Sequence, residues 1–88
     1  MDTFTVVVLL RTASDVDDAA VDALGLWRDA TDPDLWRAST ECTAGDLEQA
    51  LVLGRELAGQ IAAGPLDATV EEVVAMDDER QLVWRANP

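Results

Sequence analysis

Apolar positions along this chain fall into six blocks, and the spacing within each block points to its element. The first, Thr3 to Arg11 (TFTVVVLLR), is β-branched and aromatic and predicts a strand. Phe4, Val6, Val8 and Leu10 then share one face, with Thr5, Val7 and Leu9 on the other. Both faces are largely apolar, which predicts a central strand.

After Ser14 the period changes. Val16, Ala19, Ala20, Ala23, Leu24 and Trp27 recur at helical spacing and predict an amphipathic helix. Ser14 and Asp17 stand in the positions of a capping box. Asp15, Asp17 and Asp18 load the first turn, where the helix dipole favours negative charge. Gly25 either ends the helix or sits inside one more turn. Thr31-Asp32-Pro33-Asp34 predicts a turn. Leu35 to Thr43 alternates, with Trp36, Ala38, Thr40 and Cys42 on one face and Leu35, Arg37, Ser39 and Glu41 on a wetter one. If Leu26 to Ala30 is also extended, the two segments form a hairpin.

Asp46 to Ala63 is the clearest helix, capped by Thr43 or Asp46 and stopped by Gly64-Pro65. Ala50, Gly54, Ala58 and Ala62 form a ridge of small residues, flanked by Leu47 and Leu51 on one side and Leu53, Leu57 and Ile61 on the other. Gly54 costs a helix about 1 kcal/mol against alanine, which close packing would offset. Ala68 to Met76 and Gln81 to Arg85 predict a terminal hairpin turning at Asp77-Asp78-Glu79-Arg80.

These elements predict one α+β domain over residues 1–88. It is a two-layer sandwich, with two helices on one face of a four- to five-stranded, mainly antiparallel sheet. With the hairpin, the order resembles the ferredoxin-like βαββαβ plan with an added C-terminal strand. Without it, the order is βαβαββ and resembles the small sulfur-carrier proteins in outline. Their Cys-Pro-x-Pro motif is absent, since Thr43-Ala44-Gly45 follows Cys42. The ferredoxin-like resemblance covers most of the chain and lies in the order of elements. It implies kinship of shape with regulatory amino-acid-binding modules and with dimeric α+β barrel enzymes. Those enzymes often carry a cavity histidine, and this chain has no histidine.

Either plan leaves one sheet face uncovered. Val7, Leu9, Leu35, Val83 and one of Val73 or Val74 are expected there, a surface that seldom stays bare in a small domain.

Charge then narrows the partners. Eighteen acids against six bases give −12, and every base is an arginine. Such a surface repels phosphates and anionic lipid, so direct binding to nucleic acid or membrane is not expected. Local use of acids at helix starts and hairpin corners accounts for part of the charge. Asp15, Asp18 and Asp22 on the first helix, with Glu48 and Glu56 on the second, form the short carboxylate rows that a nucleic-acid mimic would need. The chain opens with no basic, apolar leader, and the run Val6 to Leu10 is too short to span a bilayer, so a cytoplasmic location is expected.

Candidate chemistry is sparse. Without His, Lys or Tyr, acid–base work would fall to carboxylates or Cys42, and no histidine is present to activate that thiol. Asp15-Val16-Asp17-Asp18 and Asp77-Asp78-Glu79 do not match a calcium loop, so no metal or cofactor is expected. All three tryptophans precede an arginine: Trp27-Arg28, Trp36-Arg37 and Trp84-Arg85. These residue types are enriched at binding hot spots, although a core tryptophan beside a solvated arginine gives the same pattern. The expectation is a non-enzymatic accessory module that binds a second copy or another protein. Its candidate interface is Val7, Leu9, Leu35, Trp36, Arg37, Val83, Trp84 and Arg85. The alternative is a ligand-binding or enzymatic protein of the dimeric α+β barrel type, which needs a void near Ala50, Gly54 and Ala58.

Overall fold

The computed structural model describes residues 2–12, 17–32, 34–63 and 68–86. Strand β1 (Asp2–Thr12) leads to helix α1 (Asp18–Leu24), strands β2 (Leu26–Arg28) and β3 (Leu35–Ala44), helix α2 (Leu47–Ala63), and strands β4 (Ala68–Met76) and β5 (Gln81–Arg85). The five strands form one antiparallel sheet in the order β2-β3-β1-β4-β5, so β1 is central as its two apolar faces predict. The hairpin ahead of α2 is present, with Leu26, Trp27 and Arg28 opposite Ala38, Arg37 and Trp36.

The two helices are unequal, which departs from a pair of helices sharing one face. α2 has 17 residues and packs on β1 and β4, reaching β3 and β5. α1 has seven residues and packs mainly against β2. Its N-cap is Asp17, whose side chain accepts from the Ala19 N–H; Ser14 to Val16 lie outside the described residues. Gly25 ends it in the left-handed conformation, φ 63° and ψ 38°, and donates its N–H to the Val21 carbonyl. That early stop moves Trp27 from the expected helix face into β2, where it is 43% exposed.

Asp46, not Thr43, caps α2. Asp46 accepts from the Gln49 N–H at 2.8 Å, and the Gln49 side chain accepts from the Gly45 N–H at 2.7 Å. This is a capping box shifted by one residue. The stop predicted at Gly64-Pro65 lies outside the described residues.

The core lies between α2 and the sheet. Phe4, Val6, Val8 and Leu10 of β1 are buried under the helix with Val73 and Ala75 of β4. Ala50, Gly54 and Ala58 of the small-residue ridge are buried against them. A Cβ on Gly54 would stand 2.5 Å from Val6 Cγ1 and 3.0 Å from Val73 Cγ1, so the helix rests directly on the strands. Among the described residues, no helix is long and apolar enough to cross a membrane.

Candidate functional site

Residues paired across antiparallel strands share a face, so the register maps the side of the sheet turned away from α2. Its middle row runs Ser39, Val7, Val74, Val83 from β3 to β5. The next row toward the C-terminal end of β1 runs Trp27, Arg37, Leu9, Glu72, Arg85. Beyond it stand Leu35, Arg11 and Thr69. The row on the other side of the middle is Glu41, Thr5, Met76, Gln81. Val83 and Trp27, at opposite edges, are each 43% exposed, and Val7, Leu9, Leu35, Val74 and Met76 are half-buried.

Six candidate interface residues are therefore together on this face: Val7, Leu9, Leu35, Arg37, Val83 and Arg85. Trp36 and Trp84 are not with them. Both point to the helix side, Trp36 buried and Trp84 half-buried against the core. Register also resolves the pair Val73 and Val74, the first buried and the second on the open face. Trp27 and Met76 join that face: the helical spacing that runs on through Trp27 hides the first, and the second follows from Val74 by strand alternation.

The tryptophans do not stack on the arginines that follow them, because successive strand residues point to opposite faces. Arg28 of β2 lies 4.7 Å over the Trp36 ring, and Arg55 of α2 lies 4.5 Å over that of Trp84.

Three arginines stand on the open face, and each has a carboxylate partner. Arg11 donates to Glu71 at 2.6 Å and to Asp32 at 3.1 Å, Arg37 to Asp29 at 2.8 Å, and Arg85 to Glu72 at 3.0 Å. Glu71 sits where β4 shifts register against β1, so the irregularity supplies a carboxylate at the rim. Hydrogen bonds from Arg11 to Glu71 and then Asp32 raise the Arg11 pKa. Arg37, then the Thr31 N–H and hydroxyl, hold Asp29 well below the usual carboxylate range.

Other carboxylates serve the backbone. Asp32 accepts from the Asp34 N–H, and Asp77 accepts from the N–H groups of Glu79 and Arg80 at 2.8 and 2.7 Å. Those bonds lower the Asp77 pKa. With the caps Asp17 and Asp46, at least seven of the eighteen acids have a defined structural partner. Raw acidity is correspondingly weaker as a sign of a basic partner.

A pH dependence follows. A carboxylate with a lowered folded pKa stabilises the protein fully above its unfolded value near 4, and that contribution disappears as pH falls through the folded value. Asp77→Ala is expected to be less stable than the parent chain at neutral pH, with the gap narrowing below about pH 4. Thermal melts of the pair across this range check it. A gap that stays constant into strong acid would show that the Asp77 charge contributes nothing.

Other concavities open elsewhere on the described residues. One of about 570 Å³ at the sheet end is lined by Asp2, Thr3, Phe4, Thr5 and the Met76–Glu79 turn. Another, of about 460 Å³, runs between α2 and β5 past Val52, Arg55, Gly59 and Trp84. A cleft of about 200 Å³ between the two helices and strands β1 and β3 is lined by Ala23, Leu57, Ile61, Val8, Ala38 and Thr40. Beneath Gly54 the interior is filled by Val6 and Val73, and Ala50 and Ala58 are fully buried. Cys42 is a free, half-buried thiol against the core. Among the described residues, no cluster of three or more His, Cys, Asp or Glu side chains is arranged to hold a metal. No family model, no curated protein and no solved structure matches this chain.

Proposed function

We propose that this chain is a non-enzymatic protein-docking module whose working surface is the open face of its sheet. The carrying observation is the Val7–Val74–Val83 row, extended by Leu9 and Leu35 and bordered by paired arginines, all turned away from α2. An apolar strip framed by satisfied polar groups is the anatomy of a protein interface: an apolar centre to exclude water and a polar rim to set orientation. We further assign the domain to the ferredoxin-like plan with a fifth strand. The order β2-β3-β1-β4, with a helix after β1 and another after β3, supports that assignment, and β5 extends the β4 edge.

The ligand-binding alternative has less support. At Gly54 the space it needs is filled, since even one added carbon there would meet Val6, and the cleft beside Leu57 and Ile61 is only about 200 Å³. The mimicry alternative draws on exposed Asp18, Asp22, Glu48 and Glu56, but such residues are ordinary on solvated helix faces.

The test is to isolate tagged chain from its native source beside two variants: Val74→Asp on the open face and Val52→Asp on the outer face of α2, where Val52 is 51% exposed. The expected result is an assembly, with itself or with another protein, that Val74→Asp loses and Val52→Asp keeps. Equal recovery of every bound protein by both variants would refute the docking surface.

A further inference from the structure

We propose that the occupant of the open face is a second copy of this chain. The copies dock about a two-fold axis lying in the interface and running across the strands along the Ser39–Val7–Val74–Val83 row. This rests on the open face being the docking surface, and it adds the partner and the geometry.

Area permits it. Five strands about 4.8 Å apart, and the eight residue steps from Thr3 to Arg11, give a face of roughly 24 Å by 27 Å. That footprint is in the range of a standard interface, which buries about 800 Å² per partner. Sheets packed face to face lie about 10 Å apart, close enough for side chains of facing rows to meet.

Charge points to the partner and to the axis. Half of the six arginines, Arg11, Arg37 and Arg85, stand on this face, within a chain of net charge −12. A basic partner would be drawn elsewhere, to the carboxylates of the helices and the sheet end. The face is also polarised along its strands. All three arginines lie on the Leu9 and Arg11 side of the middle row, each beside its carboxylate partners (Asp32 and Glu71, Asp29, Glu72), so that end is close to neutral rather than basic. Glu41 lies on the other side, toward the end formed by Asp2, Asp77, Asp78 and Glu79. A two-fold axis parallel to the strands would set that acidic end on its own copy. An axis across the strands sets it against the arginine end, and it does so twice.

The same operation makes a specific contact. Arg37 and Glu41 are two residues to either side of Ser39 on β3, so rotation about the middle row brings Arg37 of each copy over Glu41 of the other. Glu41 is exposed and forms no ion pair among the described residues, whereas Arg37 already holds Asp29 on its own chain. On the axis itself, the valines of the middle row meet their counterparts.

Sedimentation of the purified chain, with circular dichroism to confirm folding, tests this. The expected species at high micromolar concentration is twice the 9.5 kDa chain mass. Val74→Asp and the edge variant Val83→Asp should each sediment as a folded monomer, while Val52→Asp stays a dimer. Arg37→Glu and Glu41→Arg should each weaken the dimer about tenfold or more, through like charges facing across the interface. The double variant Arg37→Glu/Glu41→Arg should restore most of the loss. A wild-type chain that remains monomeric at high micromolar concentration overturns the second copy, while the native-source isolation still decides whether the face docks another protein. A dimer indifferent to both Val74→Asp and Val83→Asp overturns the placement. A dimer broken by those variants but not restored by the charge exchange overturns the axis.

Discussion

Trp36→Ala is expected to cost about 3–5 kcal/mol of folding stability, the range for removing a buried tryptophan. Trp36 is 7% exposed and lies opposite Leu10 of β1 and Arg28 of β2, with the Arg28 guanidinium stacked on its ring. A domain of this size has a total stability toward the lower end of about 5–15 kcal/mol, so the variant should be largely unfolded or melt well over 10 °C lower. The other tryptophans grade the effect. Trp84, half-buried beneath Arg55, should cost less on truncation. Trp27, 43% exposed on the open face, should change stability by no more than about 0.5 kcal/mol. Thermal melts of the three alanine variants measure the series. If Trp36→Ala melted with the parent chain, Trp36 would have to be a surface residue and the face assignment of β3 would be wrong.

Alternation puts Val7, Leu9, Leu35 and Val83 on the uncovered side, where they stand, whereas Trp36 and Trp84 of the candidate interface face the helix. What alternation does not supply is the partner across the ladder. Trp36 meets Arg28 and not Arg37, because strand neighbours diverge while cross-strand neighbours meet. The choice between Val73 and Val74 had the same origin. It depends on pairing with β1, where Val73 stands opposite Val8 and Val74 opposite Val7. The place of Trp27 in β2 is hidden for a different reason. Its helical spacing from Val16 through Leu24 was continuous, and the single residue that broke it, Gly25, was compatible with a cap or an interior turn. The ion pairs of Arg11 with Glu71 and Asp32 span 60 and 21 residues, distances at which no local pattern operates.

The acidity also reads differently once its partners are known. Asp17 and Asp46 accept backbone N–H groups at helix starts, and Asp29, Asp32 and Asp77 do so in turns. The Asx turns and caps that these aspartates form are the usual backbone uses of short acidic side chains. Ion pairs with Arg11, Arg37 and Arg85 offset carboxylates on and around the open face, so two copies meeting there would face less repulsion than across the acidic helix surfaces.

Gly54→Ala and Gly59→Ala are expected to change stability in opposite directions, although both replace a glycine inside α2 and gain about 1 kcal/mol of helix propensity. At Gly59 a Cβ meets nothing within 4 Å, so the gain should be expressed, raising the melting temperature by several degrees. At Gly54 the same carbon would stand 2.5 Å from Val6 Cγ1 and 3.0 Å from Val73 Cγ1. Val6 and Val73 are fully buried on adjacent central strands, and β-branched side chains have few rotamers to retreat into. The helix must therefore lift, which loosens Ala50 and Ala58 as well. Overpacking of this kind costs about 1–3 kcal/mol net. Urea unfolding of the two variants beside the parent measures both signs. Relief by a second substitution, Val6→Ala in the Gly54→Ala background, separates a steric clash from a backbone effect: a clash is partly relieved, whereas a backbone effect leaves the two losses additive. A Gly54→Ala chain as stable as Gly59→Ala would mean that α2 does not sit on the sheet at this distance, and the packing that sends the second face of β1 outward would lose its basis.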